Sequence, residues 1–192
     1  MTQLPRYLML AAAILLAGLY LFPLWQISLE APQYPEGLGM DIHIGSVKGA
    51  KLHDLESING LNHYIGMKKI VPDSIPELRL MPFIVGGLIA FGLVAAWAGK
   101  RWLILVWVLL FAALGIAGLY DFYQWEYAYG HDLDPRAIIK IPGMSYQPPL
   151  LGTEQILNFT ASSYPGIGGL LAAASALCGG AAWLLAARRK TP

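Results

Sequence analysis

The sequence predicts an all-α membrane protein: four transmembrane helices that carry an extracytoplasmic domain built from two loops, with small α/β content. Three observations predict it. Hydrophobic residues make up 56% of the 192-residue chain and charged residues only 13%, about half the usual share of a soluble domain. Four uncharged apolar runs span residues 7–24, 80–98, 102–120 and 166–187. Each holds about 18 to 22 residues, which at ~1.5 Å per residue matches a hydrocarbon core of ~30 Å. Finally, segments 1–6, 99–101 and 188–192 hold Arg6, Lys100, Arg101, Arg188, Arg189 and Lys190 and no acid, while segments 25–79 and 121–165 hold all 12 acidic residues and the other seven of the 13 basic ones. Excess Lys and Arg in short loops marks the cytoplasmic side. Both termini and the Lys100-Arg101 turn are therefore expected in the cytoplasm, and the two large loops outside.

The first run, 7–24, is longer than a signal-peptide core and is followed by Pro23-Leu24-Trp25, an interfacial anchor rather than a cleavage site. Residues 31–37 are turn-rich, with Pro32, Pro35 and Gly37. Over 38–44, Met40, Ile42 and Ile44 alternate with Asp41 and His43, a short strand that 47–52 can pair with across Gly45-Ser46. Asp54 is the expected N-cap of a helix whose stripe is Leu55, Ile58, Leu61 and Ile65. Asn59-Gly60 favours a turn, so that helix either contains the pair or starts after it. His63 and Met67 are four apart, share a helical face and point away from the stripe. Residues 71–78, with Pro72 and Pro76, read as extended loop; Arg79 marks the membrane surface and Pro82 the first turn of the second transmembrane helix.

The third transmembrane helix is expected to run past the membrane. Residues 121–131 are dense in aromatics and acids, the composition of an interfacial aromatic belt. Tyr123, Glu126 and Tyr127 are read on one face, Asp121 and Trp125 on another, with Gly130 as C-cap and His131 on the rim of the outer domain. Residues 132–152, with Pro135, Pro142, Pro148 and Pro149, read as irregular and held by contacts with the first loop. Asn158-Phe159-Thr160 matches a glycosylation sequon, and Ser162, Ser163 and Pro165 are expected to begin the fourth transmembrane helix. Glycines in helices two to four suit close packing in a compact bundle.

Several function classes are disfavoured. The one cysteine, Cys178, lies inside the fourth run, so the outer loops hold no disulfide. Haem-attachment, Walker, G-x-S-x-G and H-E-x-x-H motifs are absent. No span carries a mid-depth ionisable group apart from the weakly acidic Cys178, which argues against an ion pathway. No span carries a histidine, which argues against intramembrane haem. Basic residues are few and spread between membrane flanks, so nucleic acid is not an expected partner.

What remains is soft-metal chemistry. All four histidines and the methionines Met40, Met67 and Met144 lie in the outer loops. Imidazole and thioether together suit Cu(I). The expected metal ligands are His63 and Met67, then His131, then His43, Met40 and Met144, with copper as the ion; His53 is read as surface. The structural alternatives stay open: Met67 packed under a loop, His43 a solvated strand residue.

The blocks YPEGL at 34–38, NGLNHYIGM at 59–67, GLYDFYQWEYAYGH at 118–131 and IPGMSYQPPLLG at 141–152 resemble a family of uncharacterised four-helix bacterial membrane proteins. Genes of that family sit among accessory genes for the copper enzyme nitrous oxide reductase. The resemblance implies an inner-membrane location and a periplasmic cuproenzyme or its maturation proteins as partners. The leading expectation is thus an accessory protein that binds or delivers copper, or docks a maturation partner. The alternatives are a metal-free structural subunit and an electron-transfer or metal-dependent enzyme subunit using Asp121, Glu126 and His131.

Overall fold

The computed structural model describes residues 3–139, 141, 143–156 and 158–187; Pro142 and the basic trio Arg188, Arg189 and Lys190 lie outside them. The chain runs α1 (Gln3–Ala17), β1 (Trp25–Ala31), β2 (Tyr34–His43), β3 (Ser46–Gly49), α2 (Asp54–Ile65), α3 (Pro76–Ala98), α4 (Arg101–His131), β4 (Gly152–Ile156), β5 (Phe159–Pro165) and α5 (Ile167–Ala187). Among the described residues, four helices are long and apolar enough to cross a membrane: α1 with the 3-10 turn Gly18–Tyr20 that continues it, α3, α4 and α5. Their flanks are studded with exposed apolar side chains, among them Phe83, Trp97, Ile116 and Leu177.

Chain order places the outer segments together. α1 leads into β1, α3 leaves from the side of α2, α4 returns, and α5 follows β5, so all strands gather at one end of the bundle. The turn between α3 and α4 lies at the other end. There Arg6 folds over Gly99, close enough that a Cβ on that glycine would lie 2.5 Å from the guanidinium.

The bundle core packs Met9, Leu16, Val85, Leu88, Ile104 and Trp107. Trp107 is fully buried and donates its indole N–H to the Leu88 carbonyl at 2.8 Å. Gly92 and Gly179 face that ring, and a side chain on either would run into it. Gly87, Gly115, Gly118 and Gly180 meet nothing within 4 Å, so close packing explains only some of the helical glycines. The Ser175 hydroxyl ties α5 to α1 through the Ala12 carbonyl at 2.8 Å.

The outer domain is more β-rich than its sequence suggested. Five antiparallel strands form one sheet in the order β3-β2-β1-β5-β4. The expected β2–β3 pairing is present, with Ile42 opposite Val47 and His43 opposite Ser46. β1 is the central strand: Ile27 lies between Met40 on one side and Ser163 on the other. Ser162 and Ser163 therefore belong to β5, and α5 starts only at Ile167. The reason is pairing at the end of the sheet next to the helix bundle, where Gly166 and Gly168 donate to the carbonyls of Leu24 and Pro23 at 3.1 and 2.8 Å.

Other expectations are corrected locally. The first long apolar helix ends at the turn Gly18–Tyr20, short of residue 24, and α3 starts at Pro76, four residues ahead of the apolar run. α2 runs through Asn59-Gly60, because the Asn59 side chain bonds the backbone of Ile70 in both directions, at 3.0 and 2.7 Å, instead of starting a turn. Asp54 is the first helical residue, not the cap. His53 precedes it with φ 69°, and the Asp54 carboxylate accepts from the amides of Gly39 and Lys51 at 2.9 and 3.1 Å. Gly130 is helical rather than a cap; it is small because a Cβ there would lie 2.5 Å from the Gln147 backbone.

α4 serves both halves of the molecule. Its 31 residues make a rod of about 46 Å, longer than a ~30 Å hydrocarbon core requires. Up to Tyr120 it exposes apolar side chains, whereas Phe122, Trp125 and Tyr129 pack onto the outer core of Ile27, Leu38, Met40, Val47, Ile58 and Ile70.

Candidate binding site

The outward end of α4 carries Phe122, Trp125, Glu126 and Tyr129 at spacings that place them along one helical stripe. That stripe faces the sheet and α2. Glu126 is thus a carboxylic acid in an apolar row. This corrects the expected face: Tyr123 and Tyr127 are exposed, while Glu126 is 1% exposed. The physical reason is that Phe122, Trp125 and Tyr129, rather than Tyr123 and Tyr127, define the side that buries surface.

Neither carboxyl oxygen of Glu126 has a hydrogen-bond partner among the described residues, nor does the buried hydroxyl of Tyr146. Both groups line one hollow of about 90 Å³, walled mostly by apolar side chains including Met40, Ile58, Ile70 and Phe159. Tyr146 is brought there by the irregular segment that follows α4: its amide donates to the Gly130 carbonyl at 3.0 Å. Further on, the segment is held by Ser163, whose hydroxyl donates to the Leu150 carbonyl at 3.2 Å and accepts from the Trp25 indole at 2.7 Å. Burial without a compensating charge pushes the Glu126 carboxyl up from 4.5 to about 8. At neutral pH it is predominantly a neutral acid, with one O–H to give and one C=O to receive.

A second hollow of about 130 Å³ is lined by His63, Met67, Asp134 and Arg136 among others. His63 is exposed on the last turn of α2, and Met67 follows the left-handed Gly66 (φ 82°) that ends the helix. These two expected ligands do share a hollow, and Met67 also reaches the Glu126 hollow, where Met40 is a second thioether.

The remaining expected ligands line neither hollow. His131 is exposed, stacks on Tyr127 with ring centroids 4.0 Å apart, and donates to the Tyr127 carbonyl at 3.1 Å. His43 closes β2 half-buried; burial, reinforced by Lys48 and opposed by Asp41, lowers its pKa. Met144 is half-buried two residues before Tyr146. His53 is exposed and bonds Glu56 at 2.8 Å. Asp121 and His131 are exposed while Glu126 is buried, so the three do not form one constellation.

No protein-family model matches the chain, and no curated protein matches it. The site therefore stands on its own geometry. Among the described residues, no group of three or more His, Cys, Asp or Glu is arranged to hold a metal ion. The His63 hollow offers a soft ion the right kinds of donor, one imidazole and one thioether, beside the carboxylate of Asp134. Sequence reasoning missed Tyr146 and the burial of Glu126. The signal was present: an acid at position i+4 of an aromatic row Phe122, Trp125, Tyr129 is out of place unless it does something there.

Proposed function

We propose that the chain is a multi-pass protein of the bacterial inner membrane, with cytoplasmic termini and a periplasmic sheet domain. We propose further that it is a non-enzymatic accessory protein that holds or passes copper for a cuproenzyme of the nitrous oxide reductase kind. Four membrane-length helices support the location. Arg6, Lys100 and Arg101 at the end remote from the sheet support the orientation. The copper reading rests on one observation: His63 and Met67 line the same hollow. A site with few donors of its own leaves coordination positions for a partner, which suits an ion in transit.

Cu(I) titration of the purified protein in detergent tests the metal. Stoichiometric binding is expected, weakened by at least about tenfold in His63→Ala and in Met67→Ala. Wild-type protein without saturable binding would remove the copper claim. For the orientation, a membrane-impermeant maleimide should label Asp73→Cys in cells with an opened outer membrane, and Lys100→Cys only after the inner membrane is breached. The reverse pattern would invert the topology.

A second reading has its own observation. Tyr64, Ile138 and Leu151 are 51%, 70% and 63% exposed, exposed apolar side chains of the kind that dock a maturation partner without metal. Partner capture that survives loss of His43, His53, His63 and His131 would favour it.

A further inference from the structure

The hollow around Glu126 calls for an explanation that copper at His63 does not supply. Each of its unpartnered polar groups, the two oxygens of Glu126 and the hydroxyl of Tyr146, sits in a residue at most 4% exposed. A buried polar group without a partner costs about 1–3 kcal/mol, and two such residues in the wall of one cavity put that cost beside a space a ligand can fill. We propose that this cavity binds one small uncharged molecule, an apolar body with an amide or hydroxyl head, seated on Glu126 and Tyr146.

Size and chemistry narrow the class. Benzene occupies an engineered cavity of ~150 Å³; by that scale the ~90 Å³ here takes roughly four non-hydrogen atoms, a head group and a short stem. The head must both accept and donate, because a neutral carboxylic acid and a phenol each do both. An anion is repelled once Glu126 ionises, and among the described residues that line the cavity there is no Lys, Arg or His to hold it. A cation would have to ionise the buried acid and hold the pair away from water, which is costly. The apolar walls, from Met40 to Phe159, accept the stem. Water is the competing occupant, and it would leave the apolar walls unused.

Acetamide, with four non-hydrogen atoms, is a suitable probe, with saturation-transfer NMR on the full chain in detergent. Saturable binding is expected, about tenfold weaker in Glu126→Leu and severalfold weaker in Tyr146→Phe, the range of lost hydrogen bonds. Propan-1-ol should compete; acetate and propylammonium at pH 7 should not. Three results would overturn the proposal: no saturable signal from the wild type, leaving water as the occupant; equal binding by wild type and Tyr146→Phe; or displacement by propylammonium, which would make this a cation site. If Glu126→Leu fails to fold, the Tyr146 variant and the wild-type competition series still decide the matter. Copper binding at His63 can fail without affecting any of these outcomes.

Discussion

The amide of Tyr146 donates to the carbonyl of Gly130 at 3.0 Å, one helical turn beyond Glu126. This bond holds the irregular segment after α4 against the helix that carries the acid, and so assembles the cavity from two stretches of chain without regular pairing.

Gly130→Ala tests that contact. The added methyl would lie 2.5 Å from the Gln147 Cα and amide nitrogen, backbone atoms that cannot turn aside. Overpacking of this kind costs about 1–3 kcal/mol. A lowered thermal midpoint is expected, with faster proteolysis of residues 143–151; an unchanged midpoint would show that the segment is not seated on α4.

Glu126 makes stability depend on pH. The folded state keeps the proton up to about pH 8, while the unfolded chain releases it near 4.5. Between those values the unfolded state binds fewer protons, so stability falls as pH rises, by at most about 1.4 kcal/mol per pH unit. The stabilising share is complete below pH 4.5 and gone above about pH 8. Thermal midpoints measured from pH 5 to 9 should drop in the wild type and stay level over that range in Glu126→Gln, as far as this group is concerned. Parallel curves would mean that the acid is solvated.

Gly179 and Gly180 form a matched pair in α5. A Cβ at Gly179 collides with the indole of Trp107, whereas one at Gly180 meets nothing within 4 Å. Gly179→Ala should lower the unfolding temperature in detergent; Gly180→Ala should leave it unchanged or raise it slightly, since alanine is the better helix former. Equal effects would contradict the placement of Trp107.

Asp54 joins α2 to the sheet. Removing its carboxylate in Asp54→Ala strips an acceptor from the amides of Gly39 and Lys51. A loss of about 1.5–3 kcal/mol is expected from hydrogen bonds to a charged acceptor. Chemical denaturation monitored at Trp125, which packs on the same core, reads it directly; a shift below 0.5 kcal/mol, the scale of an ordinary surface change, would argue against the role.

How far the outer domain was legible depended on the range of its contacts. Trp25, Ile27, Leu29 and Ala31 alternate with Gln26, Ser28 and Glu30, a strand pattern readable in place but masked by the neighbouring membrane run. β5 offered less: Ser162 and Ser163 look like a helix entrance until Ile27 is seen opposite Ser163, across 136 positions of chain. Of the expected ligands, His63 and Met67 share a hollow because a single turn of chain joins them. Met40 faces Glu126 only because α4 crosses the sheet.

The amino-acid order by itself determined the long apolar helices, the charge asymmetry across them and the extension of α4 past the hydrophobic run, because these depend on local hydropathy and helical reach. Tertiary structure alone decided that β4 and β5 join β1 in one sheet and that Glu126 and Tyr146 line one hollow. Strand partners and buried polar pairs are set by contacts between distant segments, and no local periodicity encodes which segments those will be.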